Sequence, residues 1–202
     1  MKRIKIAALL AVTLAAASCM KVKLEESYAK QEKQIDTYFA KNNTVKHTET
    51  IEVLDPETGE MTTKDTTITD TLRIVYNHGS ARLVKVEGEG PELKSTGAVS
   101  FYYAGYVFTS SPARQPFATN RKETAEDEKF DITDPDFDIL EADMRSEGFI
   151  EGLRNGLVGV RAGEVCEIAF SGKYGFGNVV FGTIPANSAL LYKIWVIGVS
   201  ND

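Results

Sequence analysis

The chain has 202 residues, 43% of them hydrophobic and 26% charged, with a formal net charge of −6. That is the length of one ordinary domain with an extension, and the acidic balance argues against a nucleic-acid partner. Two histidines, His47 and His78, stand far from any ligand partner at metal spacing, so neither a zinc site nor histidine base catalysis is expected, and no cofactor is implied.

The chain opens with "MKRIKIAALLAVTLAAASC", in which Lys2, Arg3 and Lys5 precede an apolar run from Ile6 to Ala17. The run is too short to cross a bilayer and reads as a secretory signal peptide. Ala16, Ala17 and Ser18 directly before Cys19 resemble the cleavage and lipidation site of bacterial lipoproteins, which makes Cys19 the acylated first residue. The plainer alternative is an ordinary signal peptide with an incidental Cys19. Either reading sends the protein out of the cytoplasm. Loss of residues 1–18 moves the net charge from −6 to −9, because three basic residues leave with them. Acylation of Cys19 leaves Cys166 without a disulfide partner, and Cys166 reads as a small hydrophobe in a buried strand.

From Leu24 to Phe39, apolar residues at 24, 28, 35, 38 and 39 recur at helical spacing, which predicts one amphipathic helix. "TVKHTETIEVLD" and "MTTKDTTITDTLRI" flank the turn "PETGE" and read as a long, threonine-rich β-hairpin. Threonine there could bind a ligand, but it is also a good strand former on a solvated face. "LRIVYNHGSARLVKVEGEG" gives a strand, an Asn-His-Gly turn and a second strand. From about Glu89 onward, "AVSFYYAGYVF", "ILEADM", "GFIEGLRNGLVGV", "EVCEIAFSG" and "ALLYKIWVIGV" predict short strands around one brief helix, an antiparallel α+β domain.

Several separated motifs then agree. "FYYAG", the helix opening Phe149-Ile150-Glu151-Gly152-Leu153, the pair Gly163-Glu164, the step Tyr174-Gly175, and Ile184-Pro185 followed by Leu190 and Tyr192 resemble FKBP-type peptidyl-prolyl isomerases over roughly residues 84–199. The resemblance implies an antiparallel β-sheet curled around one short α-helix, here with an N-terminal helix and a β-hairpin extension. It divides the chain into a signal peptide at 1–18, a lipid-anchored linker and helix at 19–41, a hairpin extension at 42–83 and an isomerase domain at 84–202. It also implies an apolar pocket walled by Tyr103, Phe117, Phe149, Ile150, Tyr174, Ile184 and Tyr192, with Leu153 at its base. A hydroxyl at Tyr174 and the backbone N–H of Ile150 would grip the carbonyls of a bound segment. The implied partners are proline-containing polypeptide segments and, through Cys19, a membrane. The expected address is the bacterial cell envelope, at the outer membrane.

Two departures stand out. Leu153 replaces the family's usual tryptophan, and in "PFATN" Ala118 replaces its aspartate; the alternative alignment through "VFTSS" also lacks that carboxylate. The segment 122–147 is inserted before the helix and holds eleven acidic residues against three basic ones. Its "DPDFD" resembles the start of a calcium loop, but Ile139 and Arg145 stand where glycine and glutamate are needed, so no metal is expected. Two functions follow from different classes: an envelope prolyl isomerase, or a catalytically weak or inactive peptide-binding, chaperone-like lipoprotein on the same fold. Leu191, Trp195 and Ile197 form an outer strand face that the N-terminal helix is expected to cover; the rival is a homodimer through that helix.

Overall fold

The computed structural model describes the backbone of residues 2–130 and 137–201, and side chains from residue 21 onward within those ranges. The calcium-like reading of "DPDFD" and the side chains of the signal peptide and Cys19 lie outside the described set.

A long helix, α1 (Lys2–Asn42), leads into a two-stranded antiparallel ribbon of β1 (Thr44–Leu54) and β2 (Met61–Thr71). Both faces of this ribbon are largely exposed, and its turn is built by the Asp55 carboxylate, which accepts from the Glu57 and Thr58 N–H groups, and by Gly59 at φ 70°. The remaining strands form one antiparallel sheet: β3 (Ile74–Asn77), β4 (Ser80–Val86), β5 (Ala98–Phe108), β6 (Ala118–Thr119), β7 (Leu140–Asp143), β8 (Val165–Phe170) and β9 (Ala189–Ser200). Its order is β3-β4-β8-β9-β5-β6, with β7 on the same edge of β5 as β6. Two short helices, α2 (Lys122–Asp127) and α3 (Glu151–Leu157), complete the described elements, with a 3-10 turn at Gly172–Tyr174.

The hairpin β3–β4 turns on His78 and Gly79, both at positive φ (43° and 81°), the backbone that a two-residue hairpin loop needs. β4 pairs along β8, so the domain boundary expected between 83 and 84 falls inside a strand. The alternation of β4 explains this. Ala81 and Leu83 point to one core cluster, while Ser80 and Arg82 reach α3 on the other face.

The sheet thus has a helix on each side. On the inner face, α3 lies close because Gly152 and Gly156 carry no side chain. A Cβ at Gly152 would stand 2.3 Å from the Phe170 ring, and one at Gly156 2.2 Å from Ile168 Cγ2. Each glycine costs about 1 kcal/mol of helix propensity, which the close approach offsets. On the outer face, Ile35 and Phe39 of α1 bury themselves with Leu83, Tyr106, Ala169 and Leu191. The expected cover is therefore intramolecular for Leu191. Trp195 also packs, partly buried, against this cluster, and the Arg121 guanidinium lies 4.3 Å from its ring centroid. Ile197 remains 49% exposed, where a register shift against Ser100 and Phe101 leaves it outside the ladder.

Arg82 and Glu164 form an ion pair at 3.3 Å that is almost wholly buried. The Arg82 guanidinium also donates to the carbonyls of Gly156 and Val158, closing the C-terminus of α3. Cys166 sits in the inner core, where burial pushes its thiol well above the ordinary range.

Candidate active site

Between the N-terminal end of α3, the inner faces of β5 and β9, and the segment 176–184 lies a cavity of about 660 Å³. Tyr192 is its centre of gravity. Its ring stacks on Phe170 (6.0 Å, 16°), meets Phe117 edge-on (5.7 Å, 83°) and stands 6.2 Å from Tyr103. Burial, and secondarily Tyr103, pushes the Tyr192 hydroxyl far above its ordinary value, so it stays neutral. The approach of Phe117 depends on Gly105, where a Cβ would stand 2.6 Å from that ring and 3.0 Å from Tyr192.

The two-residue strand β6 is held by side chains as much as by its ladder. Asn120 accepts from the Tyr103 N–H (2.6 Å) and donates to the Asp138 carbonyl (2.9 Å), while the Thr119 hydroxyl donates to the Tyr103 carbonyl (2.7 Å). This lock places Phe117 and Ala118 on the cavity wall. Ile150 stands immediately before the first helical residue in extended conformation (φ −60°, ψ 126°), where a leading N–H has no intrahelical acceptor. Leu153 and Ile184, both buried, complete the apolar floor.

A sequence profile described as FKBP-type peptidyl-prolyl cis-trans isomerase matches residues 90–197. The chain belongs to that family. It is a peptidyl-prolyl cis-trans isomerase of FKBP type. The "FK506-binding protein 1" of Aspergillus oryzae is 25% identical over 123 residues, which are 60% of this chain and 99% of that one. Among solved structures, FkpA from Escherichia coli is 19% identical, covering 95% of this chain and 70% of that chain with a TM-score of 0.48. The N-terminal domain of FKBP42 from Arabidopsis thaliana is 16% identical, covering 64% and 93% respectively, also with a TM-score of 0.48.

Of the eight pocket residues expected in this isomerase domain, seven line the cavity: Tyr103, Phe117, Phe149, Ile150, Leu153, Ile184 and Tyr192. Tyr174 does not. Its ring lies against Gly79, where a Cβ would stand 2.1 Å from it, and it borders a groove shared with Glu32, Asp36 and Tyr76. The wall position belongs to Phe176, stacked on Phe181 at 4.6 Å and 9°. The segment "KYGFG" contains two aromatic–glycine steps, and the 3-10 turn ending at Tyr174 lays the first ring against the β3–β4 turn at the edge of the inner core and the second on the cavity wall. The hydroxyl that Tyr174 was expected to offer is therefore absent from that wall.

Three further contributions were not read from the sequence. Phe101 lines the cavity from β5, Phe181 closes it from the rim, and Glu141 and Asp143 of β7 stand at its mouth. The alternation of β5 could have found Phe101, two residues before Tyr103 on the same face. Asp143 is gripped by Arg145 at 2.6 Å, which holds its carboxyl down at about 2.

Proposed function

We propose that the protein interconverts cis and trans X-Pro bonds of envelope or secreted polypeptides, holding the prolyl segment against Tyr192, and that an acylated Cys19 tethers it to the membrane. The observation that carries the catalytic reading is the convergence of Phe117, Ile150, Leu153, Ile184 and Tyr192 on one apolar volume of about 660 Å³. An X-Pro amide resists rotation by about 18–20 kcal/mol because its C–N bond is partly double. Twisting breaks that conjugation and leaves the amide less polar. A dry apolar wall therefore favours the twisted over the planar state. The Ile150 N–H takes a carbonyl of the bound segment and fixes its direction. No proton transfer or nucleophile enters the scheme.

The address rests on Lys2, Arg3 and Lys5, the apolar run and the small residues before Cys19. A membrane tether of this kind carries more than one acyl chain, enough for stable anchoring. Labelling cells with a fatty-acid analogue tests it: wild type is expected to take up label and Cys19→Ala none.

A coupled isomerisation assay on X-Pro tetrapeptides tests the activity. The purified chain is expected to speed a relaxation that alone takes tens to hundreds of seconds. Folded protein with no rate above background would leave the second reading, a peptide-binding lipoprotein. That reading is favoured by Ala118 and Phe176, two wall positions without a polar side chain.

A further inference from the structure

The rim of the cavity is carried by a long irregular segment, and its two ends meet at a single side chain from outside the isomerase domain. Gln31 of α1 donates through Nε2 to the Asn187 carbonyl (2.8 Å) and accepts at Oε1 from the Gly172 N–H (2.8 Å). One donor and one acceptor on the loop leave the amide only this orientation. Tyr28, one turn earlier and 6% exposed, donates its hydroxyl to Asn187 Oδ1 at 2.6 Å. Asn187 is in the left-handed region (φ 59°) and its N–H donates to the Gly177 carbonyl at 2.6 Å. The closure leaves no slack, since a Cβ at Gly172 would stand 2.4 Å from the Asn187 carbonyl.

We propose that α1 belongs to the isomerase site, with Gln31 and Tyr28 as positioning residues that staple the ends of segment 173–186 and so set the pocket wall it carries. That segment supplies Phe176, Phe181, Gly182, Thr183 and Ile184 to the cavity. Its own backbone ties sit mostly at the base, where the Gly177 N–H donates to the Gly172 carbonyl and the Asn187 N–H to that of Gly177; beyond them the tip has a bridge between Phe181 and Ile184, the Val179 N–H to the Phe176 carbonyl, and the Phe176–Phe181 stack. Val179, Val180 and Phe181 are each about 60% exposed or more, so burial does not fix the tip. Loops of this kind open at low free energy unless their bases are held. The staple is also separable from the docking of α1, which depends on Ile35 and Phe39 one and two turns further along. Glu32 and Glu25 add polar contacts to Ser171 and Lys173, the second exposed and weak.

The proposal rests on the isomerase reading, and the test separates the two. Kinetics on a series of X-Pro tetrapeptides and hydrogen exchange are measured on the purified wild type, Gln31→Ala, Gln31→Glu and Tyr28→Phe. Gln31→Ala is expected to raise KM about ten-fold, the scale of two lost hydrogen bonds, with kcat within about two-fold. Gln31→Glu keeps the acceptor for Gly172 and loses the donor to Asn187, so its KM falls between. Exchange is expected to quicken at 173–187 and to stay unchanged in β8 and β9. An active wild type whose Gln31→Ala and Tyr28→Phe variants keep its KM and its exchange overturns the staple. So does faster exchange spread evenly over the whole sheet, which marks a merely structural role. An inactive wild type with exchange quickened only at 173–187 fails the isomerase reading and leaves the staple standing.

Discussion

The two faces of the seven-stranded sheet are built from the same alternating strands, yet one encloses a cavity and the other is filled. On the outer face α1 lays Ile35 and Phe39 onto small and branched residues, Ala81, Ala169, Ala189 and Leu191, and closes a core. On the inner face α3 has only seven residues and presses two glycines against β8, so it covers one end of the sheet and leaves the other open. Aromatic rings stand around the gap without filling it. A helix's length and the side chains at its contact, more than the hydrophobicity of the strands beneath it, decide whether a face becomes core or binding site.

The largest separation of the two faces should come from Phe39→Ala. Phe39 is fully buried, and its loss is expected to cost about 3–5 kcal/mol in denaturant unfolding while raising KM no more than Gln31→Ala does. Phe117→Ala should do the reverse. The ring is only half-buried but stands on the cavity wall, so about 2 kcal/mol of apolar contact with substrate is lost, roughly 30-fold in kcat/KM. Restoring polar groups on the inner wall has a smaller effect. Phe176→Tyr is expected to raise kcat/KM about five-fold, the scale of one hydrogen bond, whereas Tyr174→Phe on the far side of the same loop should leave it within two-fold.

The smallest expected effect distinguishes the faces by pH. Burial raises the Glu164 carboxyl above its ordinary value, outweighing the attraction of Arg82. A carboxyl with a raised folded-state pKa binds its proton more tightly in the folded than in the unfolded chain. Its contribution therefore improves as pH falls through that raised value towards the ordinary carboxylate range, and worsens as pH rises. Unfolding midpoints of wild type and Glu164→Gln at pH 5 and pH 8 check this: the difference between the two proteins should shift in favour of wild type at the lower pH. The opposite shift would mean that Arg82 dominates.

Much of this arrangement could be read from sequence because it depends on period and turn chemistry. The ribbon of β1 and β2, the His78-Gly79 turn and the two faces of β9 all follow from alternation and punctuation. The pocket residues Phe117, Phe149, Ile150, Leu153 and Tyr192 came instead from the resemblance to the isomerase family, carried by several motifs in the right order, and all five line the cavity. Tyr174 misled because direction within a 3-10 turn is set by what receives the ring, here the bare backbone of Gly79 almost a hundred residues earlier. The boundary at 83/84 misplaced β4 because pairing between β4 and β8 leaves no mark in either strand alone. The bond from Gln31 to Asn187 is of the same kind, a long-range partnership between residues that look like ordinary surface.

Gly152 with Phe170, and Gly156 with Ile168, are each a single volume divided unequally between a helix and a strand. A methyl group added on the helix side has room only if one is removed from the facing strand. Gly156→Ala and Ile168→Ala, which removes the Cγ2 methyl that the new Cβ would meet, should therefore be far better tolerated together than their separate costs suggest, a negative coupling between sites in contact. Sequence drift across this contact must then proceed by paired exchange, each partner holding the other at its present size.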